Sequence, residues 1–406
     1  MAELKCARRA PTAAGALLLG LLTGCATTPH PGRSCKRDSD CPPAATCAQG
    51  RCRHTGDKRA GRSNGKHALA APSTGPGRHV ETKLRGPAHP PRLRWRMPLG
   101  SPITALSWRD ERTLLISTAG GTLTAVDTRR KRVLWQHGSG HARSAAQRWG
   151  KQILSSDAGG ALWSLDLDGR EQWWRLLAAG STAPPLLLPA QARIFIPAFG
   201  LEARDRRGKR QWRQALASQL GGAPTWHPEG FVLTGDHHGR LHAFDPSSGR
   251  RRWQVQARAA IHSRVAVTPA GDIITGDILG WVRSFSAAGE ARWQMKSGGR
   301  IESGPVVTPE GSILVATTAG TLLCLESAGT LRWRRQTGGA LYAAPTVDRD
   351  GVSYIAGDDH LLSAIAADGT LRWQRNVRAP VQTELRLATT GTLWLGTAAG
   401  VLQAWR

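Results

Sequence analysis

Three histidines and an aspartate fall together in Gly235–His242, "GDHHGRLH". Such a cluster could hold a metal ion or move a proton. In the next copy of a repeat that runs through the chain, however, the aspartate slot is filled again, by Asp277, without histidines beside it. A short polar side chain there caps a tight turn. His237 and His238 are neighbours in that turn and point apart. Turn capping is the expected role, and no metal is expected. Cys324 falls where other repeats place Ala125 and Ala243, so it is expected to be a small buried apolar residue. No serine–histidine–aspartate arrangement is marked.

The remaining reactive side chains crowd the N-terminal region. Cys35, Cys41, Cys47 and Cys52 lie within "CKRDSDCPPAATCAQGRC". Their spacing lacks the tight C-x2-C pairs of most zinc sites. In an exported chain the natural outcome is two disulfides, with three pairings open. Export is signalled upstream. Lys5, Arg8 and Arg9 precede the apolar run Ala13–Leu22. That run is too short to span a bilayer but suits a secretory signal. It leads into "LTGC", Leu22–Cys25, which resembles the bacterial lipobox, whose cysteine is lipidated and becomes the new N-terminus. An ordinary signal peptide cut nearby is the alternative. The resemblance implies a signal peptide over 1–24 and an anchor at Cys25. With Ala26 rather than aspartate next, it also implies sorting to the outer membrane.

Residues 25–52 are thus expected to form an anchor and a small disulfide-rich segment. Residues 53–92 are rich in Gly, Pro, Ser and basic residues, without aliphatic periodicity. Such a stretch buries too little apolar surface to offset its ordering, and a flexible basic linker is expected.

The chain carries 55 Lys and Arg against 29 Asp and Glu, a formal charge of +26. That raises nucleic acid as a partner. The cations are mostly arginine and scattered, and no nucleic-acid motif accompanies them, so no nucleic-acid partner is expected. An anionic membrane or cell-wall polymer is the alternative to a merely solvated surface.

What positions all these groups is a repeat. Trp95, Trp135, Trp174, Trp212, Trp253, Trp293, Trp333 and Trp373 recur at intervals of 38 to 41 residues, with Trp173 the alternative in the third slot. The pentapeptide "GTLRW" occurs at Gly329–Trp333 and again at Gly369–Trp373. Before each tryptophan stand two short alternating apolar runs bounded by Gly or Asp, such as "GFVLTGD" and "GRLHAFD". That is strand patterning. About four strands per forty-residue unit make a β-propeller blade. An all-β fold of eight blades over 93–406 is expected, with seven as the fallback. The last blade lacks its outer strand, which "RLRWRMP" supplies from the start of the domain. The glycine allows the turn into the outer strand, and the tryptophan packs against the neighbouring blade.

"AFDPSSGRRRW", Ala243–Trp253, resembles the A-x-D-x-x-x-G-x-x-x-W signature of the pyrroloquinoline-quinone-type (PQQ-type) propeller family. "AVDTRRKRVLW", Ala125–Trp135, matches except for Lys131 at the glycine, and the aspartate decays to Ser286, Glu326 and Ala366 in later copies. The resemblance covers about Leu93 to Arg406. It raises the possibility of a quinone-dependent dehydrogenase, which needs a calcium site, an aspartate base and longer blades. No calcium cluster or adjacent cysteine pair is evident, so no enzyme and no cofactor are expected. Among relatives, the chain most resembles the lipid-anchored propeller scaffold of the outer-membrane barrel-assembly machine. That implies a monomeric, membrane-anchored scaffold for envelope proteins. A recognition module for glycan or peptide is the alternative.

Nine residues beyond each blade tryptophan lie Thr104, Ser144, Ala183, Gly221, His262, Glu302, Tyr342 and Gln382. The following residues are small throughout, as innermost strands require. The first set should ring one channel mouth, with His262, Glu302, Tyr342 and Gln382 forming a polar arc that binds a partner. Plain contact with solvent is the competing reading.

Overall fold

A computed structural model describes residues 83–406, together with the backbone of 45–48, 51–54 and 80–81. The chain divides into two compact units, Met1–Gly65 and Lys66–Arg406. In the first, Ala45–Ala48 and Arg51–His54 form an antiparallel hairpin with the Cα atoms of Cys47 and Cys52 directly opposed. Cys25, Cys35 and Cys41 lie outside the described residues, as do the side chains of Cys47 and Cys52.

The second unit is a ring of eight blades of four antiparallel strands, in sequence order except in blade eight, which takes its outer strand from the start of the domain, while blade seven gains a fifth, parallel strand. First strands of adjacent blades approach one another around the axis. Fourth strands form the rim, with alternating exposure, as in Leu331–Gln336. The second and third strands explain the apolar runs. Phe231–Gly235 is buried at every position because neighbouring blades cover both faces of its sheet. Among the described residues no helix is long and apolar enough to cross a membrane.

Ring closure follows the expected splice. Leu93–Pro98 pairs with Val401–Trp405, setting Trp95 opposite Ala404. Arg92 and Arg406 exchange backbone hydrogen bonds of 2.9 and 3.0 Å. Two strand edges that would otherwise be exposed are thereby paired.

The tryptophan slot works across blade boundaries. Trp293 Nε1 donates to Ser327 O and Trp333 Nε1 to Ala367 O, both at 2.9 Å and both in the turn before the next outer strand. Gly329 and Gly369 sit in those turns at φ +88°, and an added Cβ would lie 2.5 and 2.7 Å from the Trp293 and Trp333 rings. Glycine is thus required by backbone conformation and by indole packing together. Where Lys131 replaces it, the backbone still adopts φ +55°.

Two expectations are corrected. In the second blade the slot belongs to Trp173, not Trp174. Ser164 opposes Trp173 just before the bulge shared by every blade, and Gly208 packs on the Trp173 ring. Trp174 turns toward Trp163 instead, with ring centroids 6.1 Å apart. The linker, expected to reach residue 92, gives way earlier. Val80–Glu81 pairs in parallel with Thr346–Asp348, the innermost strand of blade seven. From there residues 83–92 cross the seam between blades seven and eight as a strap. Gly86 N donates to Asp348 Oδ2 and Arg375 Nε to Pro91 O, at 3.1 Å each.

Antiparallel order places connections alternately on two faces. First-to-second and third-to-fourth connections share a lower face with the strap. Second-to-third turns and blade-to-blade loops share the upper face.

Candidate functional site

The Asp236 turn on the upper face is a cap. Its Oδ1 accepts from His238 N at 2.9 Å and Arg240 N at 2.8 Å, and Oδ2 lies 3.0 Å from His242 Nε2. Asp277 Oδ1 likewise accepts from Leu279 N and Trp281 N. The two turn histidines diverge, His237 toward His262 and His238 toward Arg240. Among the described residues no three His, Cys, Asp or Glu are grouped to hold a metal. Cys324 is buried opposite Trp333 in the small-residue slot, and burial pushes its thiol above the ordinary range.

The expected arc is assembled in part. His262 Nδ1 lies 3.2 Å from Glu302 Oε2, and Arg300 Nη2 donates to Glu302 Oε1 at 2.6 Å. The His237 and His262 rings stand 4.6 Å apart. Partial burial, then the nearby His262, hold His237 below its usual pKa and favour its neutral form. Further round, Gln382 Nε2 donates to Asp358 Oδ1 at 3.3 Å. Tyr342 is 40% exposed and stands free of the His262–Glu302 pair. The opposite half carries only small residues: with Trp173 in the slot, Thr182 rather than the expected Ala183 takes the ring position, and Ser144 is turned inward to bond Ser156.

Three further side chains complete this face and were not anticipated. Leu176 ends the outer strand of blade two, while Phe199 and Leu279 occupy second-to-third turns of blades three and five. All three are large apolar residues left exposed. The turns at Ala119–Gly120, Ala158–Gly159 and Ala398–Ala399 carry only small residues. Phe199 and Leu279 therefore depart from the repeat in a way that sequence alignment alone could have flagged. Polar partners on the inside and apolar apices outside can make ion pairs, hydrogen bonds and dry contacts. That is recognition chemistry.

A family model described as the outer membrane protein assembly factor BamB matches residues 90–195, 200–275 and 279–404. Among solved structures, BamB from Moraxella catarrhalis is similar at 17% identity and TM-score 0.65, covering 78% of this chain and 99% of that one. A europium-containing methanol dehydrogenase is similar at 12% identity and TM-score 0.66, covering 78% and 93%. A quinohemoprotein alcohol dehydrogenase from Comamonas testosteroni reaches 13% and 0.66, covering 78% and 76%. No curated protein matches.

Proposed function

The chain belongs to the family of the outer membrane protein assembly factor BamB, and on that premise we propose that it is a non-enzymatic envelope lipoprotein. It would be anchored at Cys25 in the outer membrane and present its propeller as a docking scaffold for proteins that assemble the outer membrane. The observation that carries this reading is the uneven upper face. His262, Glu302, Tyr342 and Gln382 stand on four consecutive blade-to-blade loops, flanked by exposed Phe199 and Leu279. Tyrosine is favoured at interface centres, and a ring of dispensable contacts around it excludes water. The likeness to the dehydrogenases is at 12–13% identity and speaks for the shared propeller only.

The test is crosslinking in membranes of the native organism, followed by capture with wild-type chain and with the Tyr342→Ala, Glu302→Ala double variant. Recovery of barrel-assembly components, lost more than about tenfold in the variant, supports the reading. A loss below about threefold, roughly 0.7 kcal/mol, removes the upper face as the docking site. Quinone absorbance after reconstitution with calcium would overturn the non-enzymatic assignment.

A further inference from the structure

On the lower face, where the strap crosses blades seven and eight, lies an open depression of about 380 Å³. Lys83, Arg85, Arg349 and Arg406 bring four cationic side chains to its wall, and Thr389 and Thr390 add hydroxyls. One side-chain carboxylate serves them, and Arg406, the last residue of the sequence, adds its own terminal carboxylate. Asp350 lies 2.8 Å from Arg85 Nε through Oδ2 and 3.5 Å from Arg349 Nε through Oδ1. Among the described residues no other side-chain carboxylate pairs with the four. The wall therefore keeps an excess of positive charge.

That excess is held in place by the backbone. Arg349 N donates to Leu84 O at 2.9 Å, and Gly86 N donates to Asp348 Oδ2. A Cβ on Gly86 would collide with the Tyr354 ring. Asp348 is itself fixed by Tyr354 OH at 3.0 Å and by the amides of Asp350 and Val352. The strap and the turn of blade seven are thus tied together before any ligand arrives.

The geometry points to a binding site for a phosphate ester in this depression. Guanidinium forks match tetrahedral oxyanions in pairs, an ammonium adds a point charge, and hydroxyls complete the shell. A volume of this size admits the phosphate with a small alcohol attached. Val80–Glu81 runs parallel to the inner strand of blade seven, from the upper face toward the lower, and so feeds the strap that walls the depression. The phosphate can come from a lipid headgroup or from a free phosphate ester.

The test uses the full-length chain carrying Cys25→Ser, so that no acyl group contributes, at constant ionic strength. Glycerol 3-phosphate titrated calorimetrically should bind saturably. Arg349→Ala and Arg406→Ala should each weaken it about fivefold or more, while Asp350→Asn should tighten it. A gain of affinity cannot come from misfolding. Arg213→Ala and Arg252→Ala on the outer rim, each removing the same single charge, should leave it unchanged. Phosphatidylglycerol vesicles separate the sources: parallel loss of vesicle binding in the pocket variants identifies a headgroup, and loss of glycerol phosphate alone identifies a free ester. Equal losses in pocket and rim variants, or no saturable binding, would overturn the site.

Discussion

Trp373 Nε1 donates to the carbonyl of Pro87 at 3.0 Å, across 286 residues of sequence. In blades three to six the same indole donates to a carbonyl in the next blade's turn, 34 residues on. Blade eight has no such turn, because its outer strand comes from the other end of the domain. The strap takes that place and offers Pro87 where a turn residue would stand.

Trp373→Phe removes this bond and keeps most of the packing. It should cost about 1 kcal/mol, much as Trp293→Phe should. The two variants should differ in where the ring loosens. Hydrogen exchange at the Arg92 and Arg406 amides, which close the ring, should quicken in Trp373→Phe and stay protected in Trp293→Phe. Equal protection in both would show that the strap does not support closure.

The repeat was legible because one packing problem is solved in each blade, so tryptophan and glycine recur in register. The splice at Leu93–Pro98 was legible from the count of strands. The strap was not. Residues 83–92 carry no apolar alternation, and their order comes from distant partners, Asp348, Trp373 and Arg375. Adjacent tryptophans hid the third slot, which only the bulge at Ser164 resolves in favour of Trp173. Of the candidate site, the His262–Glu302 contact was foreshadowed by spacing. Leu176 was not, since a single exposed apolar residue means little until its neighbours on a face are known, and Phe199 and Leu279 stand out only once the turns of the blades are aligned.

Arg143 occupies a slot that holds buried Ile261, Ile301, Leu341 and Val381 in other blades. Its Nε donates to Ser139 Oγ, and Nη2 lies 2.8 Å from His137 Nδ1. Nη1 has no partner. Burial pulls the guanidinium pKa down to about 10, against the opposing pull of Asp157 and Glu171. Replacing a poorly compensated buried charge with an apolar chain of similar volume is often neutral or stabilising. Arg143→Met should leave urea stability unchanged or raise it by about 1 kcal/mol, whereas Arg143→Ala, which opens a cavity, should lower it by about 2–4 kcal/mol.

His242 is fully buried against Asp236, and burial lowers its pKa despite the opposing hydrogen bond. In the unfolded chain it takes up a proton near pH 6.5. Below that pH the unfolded state binds more protons than the folded one. The stability contributed by neutral His242 is therefore whole above about pH 6.5 and declines as the pH falls toward the lower folded value. Thermal unfolding between about pH 7.5 and 5 should show this loss. His242→Gln keeps a donor for Asp236 but cannot titrate, so its decline over the same range should be shallower. An unchanged slope would assign the acid sensitivity elsewhere.

The two demands on the turn glycines can be separated by experiment. Gly369 and Gly298 share φ +88°, so alanine is strained equally at both. Around Gly298 an added Cβ meets nothing within 4 Å, while at Gly369 it would lie 2.7 Å from the Trp333 ring. Gly298→Ala therefore reports the backbone cost alone, about 1–2 kcal/mol for a left-handed alanine. Gly369→Ala adds displacement of an indole that is wedged between blades and bonded to Ala367 O. Overpacking of that kind costs typically about 1–3 kcal/mol more. Urea unfolding should thus rank Gly369→Ala well below Gly298→Ala. The double variant Gly369→Ala, Trp333→Leu should recover part of the difference, because the smaller side chain no longer meets the new methyl. If Gly369→Ala and Gly298→Ala are equally stable, the glycine is kept for its backbone alone, and the tryptophan has room it does not use.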